Sequence, residues 1–450
     1  MSIRTTLNSA VSGLHGASAG IAATSHNVAN ATTPGFSRRS AKLSTRDPLV
    51  GNLVLGQGVD VQGFQRATNE RLVEQQVDAE SDLAAASSYG NGLRALEAYF
   101  DPIDGGGPRS SLDAFYDSLV TAGRDPGDPA LRREVIASGD ALARTLNRTS
   151  AALTAASDAH TRDIELGVAD VNALLEEVAA VNVEIVAAGG PLRSGDMADR
   201  RDQLMREAAG IAGIELDIQG DGTAVGRIGG HVVVSGADVR PMSVEADGSL
   251  SVPVGDGSVV VDDFLGGSMG GLVSARNVTR GLQDDLNTTV DALVTAFNTT
   301  HAGGFDRTGA AGGDLFAVAD PTSSAGTIRF AIDDPEALAF AGDVTANAGD
   351  SGNLESLLSI EGQLLVGGES LSDSMSALAS RLGGSIRVAD SDRVHADAVL
   401  LDLDELNAAI SGVDLDEEAA NLLTFQAAYQ ASAKVVQTAD QLMGVLMEMT

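Results

Sequence analysis

The chain has 450 residues, 43% of them hydrophobic and 20% charged, with a formal net charge of -34, no cysteine and no tryptophan. This length exceeds one ordinary core and predicts several domains, while the apolar share excludes a disordered chain. The acidic balance excludes nucleic-acid binding, which needs clustered Lys and Arg, and the missing thiols exclude disulfides, thiolate metal sites and cysteine nucleophiles.

In chain order, the first predicted element is a coiled-coil-like helix, because Ile3, Leu7, Ala10, Leu14, Ala17, Ile21 and Val28 keep heptad steps interrupted only near Ser25. Thr32, Thr33 and Pro34 end it, and Gly35 permits a sharp turn. Asn27, Asn30, Pro34, Gly35 and Phe36 are therefore candidates for setting the angle at which the arm leaves its helix. From there to Arg66 the chain alternates and carries Gly51, Gly56, Gly58 and Gly63, which predicts extended structure with hairpin-like turns. Helical periodicity follows over 71–100, 110–122, 130–150 and 151–188, the last through Ile164, Val168, Val171, Leu175, Val178 and Ile185. From Ile214 to about Gly267, short β-like runs such as HVVVSG and LSVPVGDG are split by Gly and Asp. A helix through Leu282, Leu286, Val290, Leu293 and Phe297 comes next, then a Gly-rich stretch, a mixed region over 327–360, and helices to the end.

The final helix mirrors the first, since Leu415, Leu422, Phe425, Tyr429, Ser432, Val436, Ala439, Met443 and Leu446 again fall on one seam. Asp414, Asp416, Glu417 and Glu418 at its start complement the positive end of the helix dipole. The fold class expected is mainly α with a small β insertion, a discontinuous helical bundle with coiled-coil-like helices from both chain ends. The domains expected are 1–70 plus 400–450 as a terminal helical part, 71–213 plus 268–399 as a helical body, and 214–267 as an inserted β-rich part.

Chemistry is not encoded in any recognisable constellation. The histidines at 15, 26, 160, 231, 301 and 395 are scattered and lack the spacing of a helical zinc site, so no metal is expected. GGSMGG at 266–271 and GDGTAVG at 220–226 lack the strand-to-helix setting of a nucleotide fingerprint, so no cofactor is expected. DLDEL at 402–406 lacks the glycine of a calcium loop. A hydrolase with coiled-coil ends would need a nucleophile or a carboxylate pair in a pocket, and none is visible. No apolar run approaches the roughly 20 residues that span a bilayer, and no basic-then-apolar start predicts a cleaved signal or membrane insertion. The two seams stand out instead as assembly surfaces: Ile3, Leu7, Leu14, Ile21 and Val28 at one end, and Leu415, Leu422, Phe425, Tyr429, Val436, Met443 and Leu446 at the other. They can pair within one molecule or pack laterally among copies, and periodicity leaves both open.

The run NVANATTPGFSRR, residues 27–39, resembles the N-terminal signature of the flagellar axial proteins, the family of rod, hook and hook-associated subunits. SGVDLDEEAANLLTFQAAYQASAKVVQTADQLMGVLMEM, residues 411–449, resembles its C-terminal signature. Within the family, GFSRR and DEEAANLLTFQAAYQASAKV look most like the hook-associated branch, and ADRRDQL at 198–204 and GSMGGLVSARN at 267–277 resemble interior segments of it. Hook protein, hook-associated protein 3 and flagellin look less similar. The resemblance implies a structural subunit of the hook–filament junction and not an enzyme. It implies export to the flagellum without a cleaved signal and an export chaperone on the C-terminal helix. Self-association in the flagellar axis is implied too, with hook protein below and hook-associated protein 3 above.

Overall fold

The computed structural model describes residues 3–46, 57–100, 107–245, 248–344 and 349–448; Gly51 and Gly56 lie outside them, as do the side chains of Ile3 and Leu446. The chain forms two compact units: Met1–Ala84, Gly167–Ser268 and Val394–Thr450 make the first, and Ala85–Leu166 and Met269–Arg393 the second. Each is a mainly helical assembly with small sheets, in keeping with the fold class read from the sequence.

The first unit begins with α1 (Ile3–Asn30) and a hairpin of β1 (Arg39–Thr45) and β2 (Val59–Arg66). At the C-terminus of α1, Asn30 Nδ2 donates to His26 O at 3.0 Å, and Gly35 then takes φ +75°, a conformation that a Cβ would strain. The hairpin register runs from Arg39 opposite Arg66 to Thr45 opposite Val59, with a bulge between Lys42 and Leu43. Gly63, at φ +149°, lets the hairpin approach the backbone of Leu192, whose carbonyl accepts from Phe64 N at 2.7 Å. A side chain at Gly63 would place its Cβ 2.3 Å from that carbonyl oxygen.

Helix α2 (Glu70–Arg94) and the one-turn α3 (Glu97–Phe100) precede α4 (Pro108–Ala122) and the long α5 (Pro129–Ala187). The sequence reading split α5 into 130–150 and 151–188; it is one helix of 59 residues. Neither Gly nor Pro interrupts the junction, and Leu146 and Leu153 continue one fully buried stripe across it. Helix α6 (Gly195–Ala212) ends on Gly213 at φ +66°, a left-handed cap, and the chain changes to strands.

Strands β3 (Glu215–Ile218), β4 (Ala224–Ile228), β5 (His231–Ser235) and β6 (Asp238–Val239) form a four-stranded antiparallel sheet in sequence order. A three-stranded antiparallel sheet follows from β7 (Ser243–Val244), β8 (Leu250–Val254) and β9 (Gly257–Val260). Two asparagines of α5 hold this region by their amides. Asn182 donates to Ala224 O at 3.0 Å and accepts from Ala224 N at 2.8 Å, and Asn172 does the same with Met242 at 2.9 and 2.8 Å.

The second unit packs parts of α5, α7 (Gly267–Ala302) and α10 (Leu371–Ser411) around α4 and a short hairpin of β10 (Phe316–Val318) and β11 (Ile328–Phe330), with α8 (Ser324–Thr327) between those strands. Helix α9 (Gly352–Ser359) leads into α10, and α11 (Leu415–Glu448) closes the chain. The few aromatic residues concentrate here. Phe115, Phe297, Phe316 and Phe330 meet edge to face at centroid distances between 5.2 and 6.1 Å, an arrangement that adds about 0.5–1.5 kcal/mol per pair beyond area burial. His301, fully buried in this core, donates from Nδ1 to Gly313 O at 2.6 Å and accepts at Nε2 from Ala339 N at 2.8 Å.

Candidate functional site: the paired chain ends and their anchor

Helices α1 and α11, from opposite ends of the chain, pack along one another. The pairing is antiparallel: a Cβ on Gly13 would lie 2.9 Å from Ser432 Oγ, and one on Gly20 would lie 2.5 Å from the Phe425 ring. Moving seven residues along α1 thus moves seven residues back along α11. Small residues at the contact let the helix axes approach closely and give the Phe425 ring a seat. Within the seam, Ala10, Ala17 and Ala439 are buried, while Leu7, Leu14, Ile21, Leu422, Phe425, Ser432 and Val436 are half-buried. Val28, Leu415, Tyr429 and Met443 remain exposed.

The adjoining side of α1 is tied to the hairpin. Ser12 Oγ accepts from Val59 N at 3.1 Å, and a Cβ on Gly16 would touch Val59 Cγ2 at 3.2 Å. Asn27, 1% exposed, donates from Nδ2 to Arg39 O at 2.8 Å and accepts from Arg39 N at 2.9 Å, which fixes where the chain re-enters after the turn. Phe36 packs against the His26 ring at 5.4 Å and under the Arg39 guanidinium at 5.2 Å. Pro34 is exposed.

Two consecutive arginines then reach in different directions. Arg38 pairs with Glu417 at 2.6 Å and Glu418 at 2.7 Å on α11, and its backbone N donates to Ser411 O at 2.9 Å. Arg39 pairs with Asp196 at 2.6 Å and Asp199 at 2.8 Å on α6. Neighbouring residues of an extended chain point to opposite faces, so one dipeptide ties the C-terminal helix and α6 to the same strand. Arg66, opposite Arg39 in the hairpin, extends the ladder to Asp199 and Asp202 at 2.8 and 2.6 Å. The hydrogen bond from Arg39 holds the Asp196 carboxyl below its usual range. The hydrogen bond to Glu417 pushes the Arg38 guanidinium up, against the cost of burial. For Arg66 burial is the largest influence and opposes its charge, but Asp202 and Asp199 outweigh it and the group is raised.

Sequence reasoning treated the acidic start of α11 only as a dipole complement. Asp414 does cap the helix, accepting at Oδ1 from Asp416 N at 2.8 Å and Glu417 N at 3.2 Å, whereas Glu418 is 2% exposed and is the buried partner of Arg38. Gly13 and Gly20 were missed because a hydrophobic pattern does not register residues without side chains. The signal available was their spacing of one heptad beside the Leu14 and Ile21 seam. For Asp196, Asp199 and Asp202 the signal was their recurrence at every third position of a helix that follows two arginines of the hairpin, Arg39 and Arg66. Among the described residues no group of three or more His, Asp or Glu is placed to hold a metal ion, and no helix is long and apolar enough to cross a membrane.

Comparison with known proteins agrees with this geometry. The family model described as the flagellar hook-associated protein FlgK helical domain matches residues 93–316, and the flagellar basal body rod FlgEFG protein C-terminal model matches residues 408–449. Together they cover more than half of the chain. Flagellar hook-associated protein 1 of Bacillus subtilis (strain 168) is 27% identical over 477 residues, covering 94% of each chain. The Escherichia coli (strain K12) protein of the same name is 24% identical over 548 residues, covering 98% of each. The flagellar hook junction protein FlgK from Burkholderia pseudomallei shares the fold, with a TM-score of 0.66 at 13% identity over 75% of this chain and 100% of that one. A pair of helices from the two chain ends, joined to mainly helical units, is thus the build of a structural subunit of the flagellar axis. Within that class the chain is similar to flagellar hook-associated protein 1 over nearly its whole length. Its role is structural, at the hook–filament junction of the flagellum, and it is not an enzyme.

Proposed function

We propose that this chain is built into the flagellar axis by its paired ends, with hook protein on one side and hook-associated protein 3 on the other. The observation that carries this reading is a second apolar set on α11: beyond the seam with α1, Leu423 is 67% exposed, Leu442 53% and Val445 54%, with Val435 also exposed. A helix that is apolar on more than one side needs more than one partner, and lateral packing among copies supplies it. On this reading Ile3, Leu7, Leu14, Ile21 and Leu422, Phe425 and Val436 hold the pair together. Val28, Leu415, Tyr429, Met443 and Leu446 meet neighbouring subunits. Asn27, Asn30, Pro34, Gly35 and Phe36 set the angle between α1 and the hairpin.

Three working parts are proposed: 1–70 plus 400–450 as the terminal helical part, 71–213 plus 268–399 as the helical body, and 214–267 as the inserted β-rich part. Export proceeds through the flagellar apparatus without a cleaved signal, with a chaperone covering the apolar α11 beforehand. The test is a strain lacking this chain, examined by swimming assay and electron microscopy. Hooks without filaments, with flagellin shed into the medium, are expected. Normal filaments would overturn the proposal, as would normal incorporation of a variant lacking residues 1–40.

A further inference from the structure

We infer that a cleft beside the β1–β2 hairpin, of about 720 Å³, receives an acidic segment of a second copy of this chain. Its lining includes Lys42, Arg66, Arg71 and Arg201 against Glu70 and Asp202. Even with Asp199, which pairs with Arg66, counted in, cations outnumber carboxylates here, in a chain whose net charge is -34.

The cleft has a fixed floor and a free rim. On the floor, Arg201 is 2% exposed and paired with Asp202, and Arg66 is held by Asp199 and Asp202. Arg66 Nε is buried without an acceptor among the described residues, so the floor retains an unused donor. On the rim, Lys42 and Arg71 are exposed, and neither makes an ion pair or side-chain hydrogen bond among the described residues. The position of Lys42 follows from the hairpin: it sits at the bulge, and its cross-strand partner is Gly63, which offers no side chain to pair with. Bulges re-aim a side chain out of the regular strand pattern.

Charge selects the occupant. Every copy carries a net charge of -34, and on the axial reading proposed above copies lie side by side, so the anion most available to this cleft is a carboxylate of a neighbour. This inference rests on the axial reading above but is separable from it, because the cleft lies away from the α1–α11 seam residues.

Lys42 and Lys434 are the only lysines in the sequence, which gives a clean test. Full-length chain is prepared with natural and with nitrogen-15 label, mixed at equal amounts and treated with a carbodiimide that joins amines to contacting carboxylates. Mass spectrometry then reads which lysine is joined and whether the two peptides carry different labels. Mixed-label products through Lys42 are expected, several-fold fewer with Arg71→Glu or at high salt, and more with Glu70→Gln, which removes the chain's own competing carboxylate. Mixed-label products through Lys434 but only single-label products through Lys42 would overturn the inference and leave assembly through the ends standing. Absence of mixed-label products from both lysines would count against both. In cells, the Lys42→Glu, Arg71→Glu double variant is expected to melt like the parent protein and yet carry markedly fewer filaments. Filament numbers equal to the parent's would also overturn it.

Discussion

Glu418 illustrates how a single contact decides the behaviour of a whole helix end. It is buried, and Arg38 is its only cationic partner among the described residues. Removing one partner of a buried pair leaves an uncompensated charge, which costs about 3–5 kcal/mol, whereas removing both is far milder. Arg38 keeps some solvent access, so the lower end applies: Arg38→Gln is expected to destabilise the first unit by about 3 kcal/mol. The Arg38→Gln, Glu418→Gln double variant is expected to recover much of that in urea unfolding, and additive losses would refute the coupling. His301 supplies a pH dependence. Burial, as the largest influence, lowers its pKa from the ordinary 6.5, partly offset by the Gly313 carbonyl and Asp314; burial likewise lowers His160. A histidine kept neutral in the fold contributes stability that is fully present above about pH 6.5 and lost as pH falls below it, because only the unfolded chain takes up the proton. Protonation would also remove the Nε2 acceptor used by Ala339 N. Unfolding measured from pH 8 to 5.5 should show stability falling below about pH 6.5, by at most about 1.4 kcal/mol per pH unit for each histidine, with a shallower slope in His301→Gln. Stability that rose on acidification would contradict the assignment.

At the scale of elements, the helices meet strands through asparagine amides that serve backbone donor and acceptor together: Asn27 with Arg39, Asn172 with Met242, Asn182 with Ala224. Each closes a strand start that would otherwise leave a peptide group unpaired, and the Asn182 amide makes its bonds to Ala224 in the buried interior. The α1–α11 pair depends on shape instead. A bulky side chain at Gly20 would meet the Phe425 ring that now fills its place. Gly20→Leu is therefore expected to part the two helices while leaving the second unit intact, visible as faster hydrogen exchange along both α1 and α11 and an unchanged aromatic signal from Phe115, Phe297, Phe316 and Phe330. Unaltered exchange in α11 would show that the close approach at Gly20 is not needed for pairing. Element types and order were legible from periodicity, including the β-rich run after Ile214. The continuity of α5 was not, because a change in which residues face the core resembles a break when only the pattern is seen.

At the scale of the whole molecule, the exposed apolar set on α11 should matter for assembly and not for folding. Leu423→Glu and Leu442→Glu, at positions 67% and 53% exposed, are expected to change stability by no more than about 0.5 kcal/mol and yet to prevent incorporation into flagella. Normal incorporation of both variants would mean that these residues do not meet a neighbour. By itself the sequence determined the helical and β-rich segments, the two heptad seams and the likeness of both ends to flagellar axial proteins, because periodicity and signature runs are local properties. Tertiary structure alone decided that the ends pair with each other, antiparallel, through Gly13 and Gly20. It also decided that Arg38 and Arg39 part company toward α11 and α6, and that Glu418 is buried while Leu423 is not. Those outcomes depend on which distant surfaces are brought together, and residues separated by nearly the whole chain carry no local pattern that records their meeting.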